Sequence, residues 1–199
     1  DLVPIIISDE WLAAIKARQP ELRTAKLIRY KKDFDIPDYD AQIITSAKKM
    51  ADLFEATTAI CKKPKKVSNW LMVETMRLMK EHEMEAEDLK FSPEHLAKLI
   101  DLADAGTINS SVAKEVFEQI FLEDIDPEKY VEEHGLKTVN DEGALRSTIE
   151  KIIADNPQSV EDYHNGKEKA IGFLVGQTMK AMKGKANPGM VNQILKELL

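Results

Sequence analysis

Cysteine is almost absent from this sequence of 199 residues, which contains only Cys61. A single cysteine cannot form an internal disulfide. The few histidines are scattered and show none of the spacings that build a zinc site: they are His82, His95, His134 and His164. The sequence therefore predicts a reduced chain without a metal site.

Long apolar runs are also lacking, because no stretch approaches the roughly 20 residues that are needed to span a bilayer. The first residues, DLVPIIISDEW, lack the basic region, apolar block and cleavage site of a secretory signal. We therefore expect a cytoplasmic protein without a membrane partner. The start at Asp1 and the extended, linker-like character of the first residues predict either a piece of a longer protein or the removal of a tag.

The motifs of common enzymes are missing as well. The sequence has no phosphate loop of the G-x-x-x-x-G-K-[ST] type, no G-x-G-x-x-G, no G-x-S-x-G and no H-E-x-x-H. Acidic pairs are numerous, but in a helical acidic segment they are more typical of solvated surface than of acid–base catalysis. Cys61 has no histidine near it in sequence, which disfavours a nucleophile. We predict no catalytic residue.

Charge is unevenly distributed along the chain. The formal net charge is −7. It divides into +4 over residues 1–80, −15 over residues 81–162 and +4 over residues 163–199. The last of these segments contains six lysines and two glutamates. Such asymmetry suggests an anionic partner for the two ends. Uneven solvated helix faces are the alternative explanation.

Apolar periodicity predicts an all-α fold. Capping residues and prolines mark helix starts at Ser8, Ser92, Ser110 or Ser111, and Asn140 with Asp141. Acidic residues, Pro127 and Gly135 interrupt the pattern between residues 122 and 140, which predicts a helical domain followed by a small tail of three helices. Trp11 and Trp70 each begin an apolar stripe and are predicted as core anchors, with Leu71, Val73, Met76 and Met79 also directed inward.

The stretch IGFLVGQTMKAMKGKANPG, residues 171–189, is helical by pattern although it contains two interior glycines. On a helix over residues 167–183, one narrow face collects Lys169, Gly172, Phe173, Gly176, Lys180 and Lys183. The opposite arc is predicted to face the core and contains Ala170, Ile171, Leu174, Val175, Met179, Ala181 and Met182.

Each interior glycine costs a helix roughly 1 kcal/mol relative to alanine, so two of them on one face need a compensating role. One role is binding of RNA, with lysines on the phosphates and Phe173 on a base or ribose. The other is close approach of a second helix of the same protein. The amides that follow Asn187 could receive a phosphate, although such amides are more often capped.

A second basic cluster, KKPKK at residues 62–66, marks a helix entrance. It could contact a phosphate backbone, but such runs are more often solvated loops.

Several segments, taken in order, resemble one known family. They are YDAQIITSAKKMADLFE (39–55), VSNWLMVE (67–74), DAGTINSSVAKEVFE (104–118), GLKTVNDEGAL (135–145) and GKEKAIGFLVGQTMKAMKGKANPGMVNQILKELL (166–199). Together they resemble the C-terminal part of the B subunit of bacterial glutamyl/aspartyl-tRNA amidotransferases. The last segment is the most specific, and YqeY-like proteins share it.

The resemblance implies a helical domain over residues 1–130 and a YqeY-like tail domain over residues 131–199. In that family ATP and magnesium act in a cradle domain that this sequence lacks, so no cofactor is expected here. The expected partners are tRNA, rather than DNA, and the A and C subunits. Matched to the tail motif, the expected tRNA contacts are Lys167, Lys169, Gly172, Phe173, Gly176, Lys180, Lys183, Lys185 and Asn187. A module that braces the subunits without touching RNA is the alternative.

Overall fold

The computed structural model describes residues 6–139 and 142–199. The described part is mainly helical and contains no β-strand, which confirms the all-α prediction; its only β-type pairing is an isolated parallel bridge between Val139 and Ala186. The predicted helix start at Asn140 and Asp141 lies outside the described residues, and so do the first five residues of the predicted linker.

The first part of the chain, which we call the helical part (residues 6–139), consists of nine α-helices within the described residues. Its α-helices are α1 (Asp9–Arg18), α2 (Arg23–Phe34), α3 (Asp38–Ile44), α4 (Lys48–Cys61), α5 (Pro64–Asn69), α6 (Met76–Glu81), α7 (Pro93–Asp104), α8 (Ser110–Glu123) and α9 (Pro127–Glu133). A π-helical turn, Trp70–Thr75, joins α5 to α6, and a short 3₁₀ helix covers Ala86–Asp88.

The capping residues explain where these helices begin. Ser8 accepts a hydrogen bond from the Trp11 amide at 3.1 Å, and Ser92 accepts one from His95 with Pro93 at the first helical position. Both starts are confirmed. Helix α8 begins at Ser110, one of the two predicted starts, and the side chain of the preceding Asn109 caps it.

A single apolar cluster fills the helical part. Helix α4 packs mainly against α7. The largest fully buried side chains of the cluster include Tyr30, Phe54 and Phe117. Val131 belongs to this cluster and Leu136 packs against it. The chain therefore remains attached to the first cluster beyond α9.

Two predictions about this core are wrong. Trp11, predicted as a core anchor, is 49% exposed, and no other residue of α1 is buried either. Val73 and Met76 are also exposed, whereas Glu74 and Thr75 are buried. The π-helical turn explains this second difference, because hydrogen bonds from residue i to i+5 change which side chains face the core. Trp70 does pack on Phe117, with ring centroids 5.1 Å apart.

The second part, which we call the tail (residues 142–199), has its own apolar cluster. Its helices are α10 (Glu142–Asp155), α11 (Pro157–His164), α12 (Lys169–Ala181) and α13 (Pro188–Leu198). The described tail thus has four helices rather than the predicted three, because the turn that begins at Pro157 continues for eight residues. The assignment of two domains, 1–130 and 131–199, stays a prediction.

Candidate nucleic-acid interface

Helix α12 crosses the tail with one side in the core. Leu174 and Thr178 are fully buried on it, and the Thr178 hydroxyl donates to the Leu174 carbonyl at 2.9 Å. Ile171, Val175, Met179 and Met182 pack around the same cluster, as predicted. Ala181 is exposed, contrary to prediction, and Thr178 was not predicted to be buried. A threonine is tolerated there because its hydroxyl bonds to the preceding turn.

The opposite side of α12 is bare. Gly172 and Gly176 are both exposed, and a methyl group added to either would meet no atom within 4 Å outside the neighbouring helix backbone. Within the described residues no second helix packs against the glycines, so the alternative of close approach by another helix of the same protein finds no partner there. Nothing in the described packing explains why alanine is not used at these positions.

Phe173 lies between the two glycines in sequence and is 48% exposed. Lys169 and Lys180 are exposed near the ends of the helix. Among the described residues neither lysine has an ion-pair partner. The face therefore combines bare backbone, one available aromatic ring and two uncompensated positive charges; we call it the glycine face (Lys169, Gly172, Phe173, Gly176 and Lys180).

Helix α12 ends earlier than predicted, so Lys183 does not continue the glycine face as a helical residue. Lys183 has φ 52° and Gly184 has φ 74°, which places two consecutive residues in the left-handed region. Glycine adopts this conformation readily, whereas lysine is less suited to it. The segment from residue 182 to residue 187, which we call the basic loop, turns the chain from α12 into α13.

The remaining predicted contacts differ in how available they are. Lys183 is exposed and Lys185 is partly buried, and neither has an ion-pair partner among the residues described. Asn187 accepts hydrogen bonds from the amides of Gly189 at 2.9 Å and Met190 at 3.3 Å, so it caps α13 itself. Lys167 precedes α12 and pairs with Asp162 at 2.9 Å.

The other basic cluster, at residues 62–66, is largely compensated. Lys63 pairs with Asp101 at 2.7 Å and with Asp104 at 2.8 Å, while Lys66 pairs with Asp104 and Lys65 pairs with Asp35. A paired lysine must lose its partner before it can neutralise a phosphate. The cluster at 62–66 is therefore a weaker candidate for an anion-binding surface than the lysines of the tail.

Two carboxylates with shifted pKa values lie in the helical part, where their hydrogen bonds stabilise contacts between helices. Burial raises the pKa of Glu55, but hydrogen bonds from Lys26 at 2.5 Å, Tyr30 at 2.7 Å and Arg29 at 2.7 Å outweigh burial and hold that pKa below its usual range. These contacts join α2 to α4, which is a structural role.

A second carboxylate, Asp124, joins the start of α7 to the end of α8. Burial raises its pKa, yet the hydrogen bonds from the Ser92 amide at 2.8 Å and from the His95 ring at 2.8 Å hold the pKa of Asp124 below its usual range. The anionic form is favoured because it accepts both bonds.

The described residues contain no group of three or more His, Cys, Asp or Glu side chains arranged to hold a metal ion. Cys61 is buried. Within the described ranges, none of the helices combines the length and the apolar character that crossing a bilayer requires.

Fold and site together define an all-helical protein whose last part presents an open, glycine-lined and positively charged helix face. Comparison with known proteins then gives the family: the model described as "GatB domain" matches residues 52–199, and the chain belongs to this GatB/YqeY family. The resemblance found in the sequence is thereby confirmed.

Individual relatives cover the chain from end to end. The chain is 72% identical over 199 residues to the B subunit of the aspartyl/glutamyl-tRNA(Asn/Gln) amidotransferase of Agathobacter rectalis, and 65% identical over 199 residues to the protein of the same name from Lachnoclostridium phytofermentans. Both matches cover 100% of this chain and 42% of the relative. The chain thus spans about two-fifths of the length of these relatives.

Proposed function

We propose that this chain is a tRNA-binding part of an amidotransferase B subunit. In this role it holds misacylated Glu-tRNA(Gln) or Asp-tRNA(Asn) while ATP-dependent amide formation takes place elsewhere in a heterotrimer with A and C subunits. The names of the relatives support the assignment to such a complex. The local argument for RNA rests on the tail.

The observation that carries the proposal is the uncovered backbone at Gly172 and Gly176. Alanine would stabilise an isolated helix at both positions by about 0.5–1 kcal/mol each, and the described chain offers no atom that alanine would displace. A surface from outside the chain that lies directly on the backbone accounts for both glycines. A ribose–phosphate strand is such a surface.

Charge favours a polyanion as the occupant of the glycine face. Lys169 and Lys180 flank it, and Lys183 and Lys185 follow in the basic loop. Since these four ammonium groups have no described carboxylate partner, each is available to neutralise a phosphate and to release a condensed counterion. Phe173 offers a half-exposed ring on which a base can stack. Contacts of this kind recognise the shape of RNA more than its sequence.

Salt dependence of tRNA binding tests the proposal. Four neutralised phosphates give a slope of log K against log salt of about −3, which corresponds to a loss of roughly 60-fold in affinity between 50 and 200 mM salt. Fluorescence anisotropy with labelled tRNA(Gln) measures this slope. A flat salt dependence, or no binding by this chain, would contradict the proposal.

Charge reversal locates the contact. We expect Lys169→Glu with Lys180→Glu to reduce the salt slope by about two, because one phosphate contact is lost at each position. The matched control is Lys151→Glu with Lys196→Glu, which makes the same charge change at exposed lysines of α10 and α13. An equal loss in both double variants would point to net charge rather than to the glycine face.

The alternative is a protein-interaction module in which a helix of a partner subunit lies on the glycine face. The half-exposed Phe173 beside bare backbone is the observation that favours it. Under this alternative, Lys169→Glu with Lys180→Glu leaves tRNA affinity unchanged and weakens co-purification with the A and C subunits. The two measurements on one variant therefore separate the two functions.

A further inference from the structure

The basic loop is bonded to the helical part as well as to the tail. Three successive carbonyls, those of Gly184, Lys185 and Ala186, accept hydrogen bonds from the preceding part of the chain. The Lys185 carbonyl accepts from the Val139 amide at 2.8 Å, and the other two accept from the side chain of Asn109. The loop that carries Lys183 and Lys185 is thus attached to the helical part.

Asn109 uses both ends of its amide. Its Oδ1 accepts from the amides of Ser111 and Val112, each at 3.0 Å, and so caps α8. Its Nδ2 donates to the Gly184 carbonyl and, at 3.3 Å, to the Ala186 carbonyl. One side chain therefore joins the start of α8 to loop residues that lie 75 and 77 positions further along the chain.

Capping alone does not require asparagine at this position. Aspartate and serine cap a helix about equally well, because the cap needs only an acceptor oxygen. Neither can replace the amide donor, since an ionised aspartate only accepts and serine has a single short hydroxyl. The donor half of Asn109 is the part that the two loop carbonyls use.

Between the described residues of the two parts, the hydrogen bonds at this junction are those of Val139 and Asn109. Within the helical part, the Thr138 amide donates to the Thr107 carbonyl at 2.8 Å, next to the Val139 contact. The Thr138 hydroxyl is buried without a hydrogen-bond partner among the described residues, which weakens the closed junction. With so few bonds, the loss of two weighs heavily on the arrangement of the two parts.

We propose that Asn109 is a positioning residue that fixes the basic loop, and with it the glycine face, relative to the helical part. Its consequence for tRNA rests on the proposed function; its consequence for the arrangement of the chain does not. If tRNA contacts both parts, a fixed junction holds Lys183 and Lys185 ready in one place and avoids the cost of ordering them on binding.

The test is the distance between the two parts. Spin labels at Glu115→Cys on α8 and Lys151→Cys on α10, in a Cys61→Ala background, report on it by pulsed electron paramagnetic resonance. Asn109→Asp keeps the cap of α8 and turns the donor into an oxygen that faces two carbonyls. We expect one narrow distance distribution for the parent chain and a broadened one for Asn109→Asp.

Hydrogen exchange gives an independent readout. Two lost hydrogen bonds correspond to a shift of roughly 5- to 150-fold toward the open junction, so the Val139 amide should exchange faster by that factor. Asn109→Ser, which keeps the cap without adding charge, should behave alike. Unchanged distances and unchanged exchange in both variants would overturn the proposal.

The matched control is Asn187→Asp. Asn187 also caps a helix, but only its Oδ1 is used among the described residues, so this change should leave the distance distribution narrow. Broadening by Asn187→Asp equal to that by Asn109→Asp would overturn the proposal, because the effect would then not depend on the donor bonds.

A failure here can be told apart from a failure of the proposed function. If Lys169→Glu with Lys180→Glu weakens tRNA binding while Asn109→Asp leaves the distances unchanged, the positioning role is refuted and the tRNA role stands. If Asn109→Asp broadens the distances while the lysine changes leave tRNA affinity unchanged, the positioning role stands and the tRNA role is refuted.

Discussion

Alanine at both Gly172 and Gly176 is expected to make the tail more stable and less able to bind tRNA. The gain in stability follows from helix propensity, about 0.5–1 kcal/mol at each position, because the added methyl groups meet no atom of the described chain. The sum is about 1–2 kcal/mol. For a unit as small as the tail, this raises the melting temperature by roughly 4–16 °C.

The loss of binding has a separate physical cause. If RNA rests on the bare backbone, two methyl groups intrude into a filled contact, and overpacking of this kind costs ~1–3 kcal/mol. Affinity for tRNA should then fall roughly 5- to 150-fold. The salt slope should change little, since the lysines are untouched.

Calorimetry and tRNA anisotropy on the same preparation measure both effects. Ser147→Ala, at an exposed position of α10, serves as the control: it improves helix propensity slightly and should leave affinity unchanged. Unaltered affinity in the doubly substituted chain would refute the idea that RNA lies on the glycines. A lower melting temperature would refute the idea that the face is open.

Three further results are expected. Phe173→Ala should weaken tRNA binding by ~1–3 kcal/mol through lost stacking, seen by anisotropy, with little change in thermal stability because the ring is 48% exposed. Glu55→Gln should lower the free energy of unfolding in urea by roughly 1–3 kcal/mol, since charged hydrogen bonds are lost, whereas Asp52→Asn at the exposed pair with Lys48 should cost less than about 1 kcal/mol. The contribution of Glu55 and Asp124 to stability should be fully present above their unfolded pKa values of 4.5 and 3.8, and it should be lost as the pH falls through their lower folded values. Urea midpoints of the parent chain and of Glu55→Gln at several pH values check this. A difference between the two midpoints that grows on acidification would contradict it.

Local patterns predicted much of α12. A period of 3.6 residues correctly placed Leu174, Val175 and Met179 toward the core and both glycines away from it, because an ordinary α-helix follows that period closely. The same reasoning was wrong around Val73, where a π-helical turn changes the period. Periodicity contains no signal for the extra residue of such a turn.

Contacts between distant segments were not predictable in the same way. Asn109 precedes two serines that cap helices about as well, and nothing nearby indicates that its donor bonds to the carbonyl of Gly184. The exposure of Trp11 also escaped prediction, since an apolar residue at the start of a helical stripe is usually covered. Such features depend on tertiary packing, which a single sequence does not contain.

The positions of the two tryptophans decide what intrinsic fluorescence can report. Trp11 is exposed and Trp70 packs on Phe117, so both indoles belong to the helical part, whereas Tyr163 is the sole tyrosine among residues 142–199 and no tryptophan occurs there. Emission excited at the red edge of indole absorption therefore follows the helical part alone. A loss of structure confined to the tail would pass unseen in such a melt, and a tryptophan introduced into α10 would make it visible.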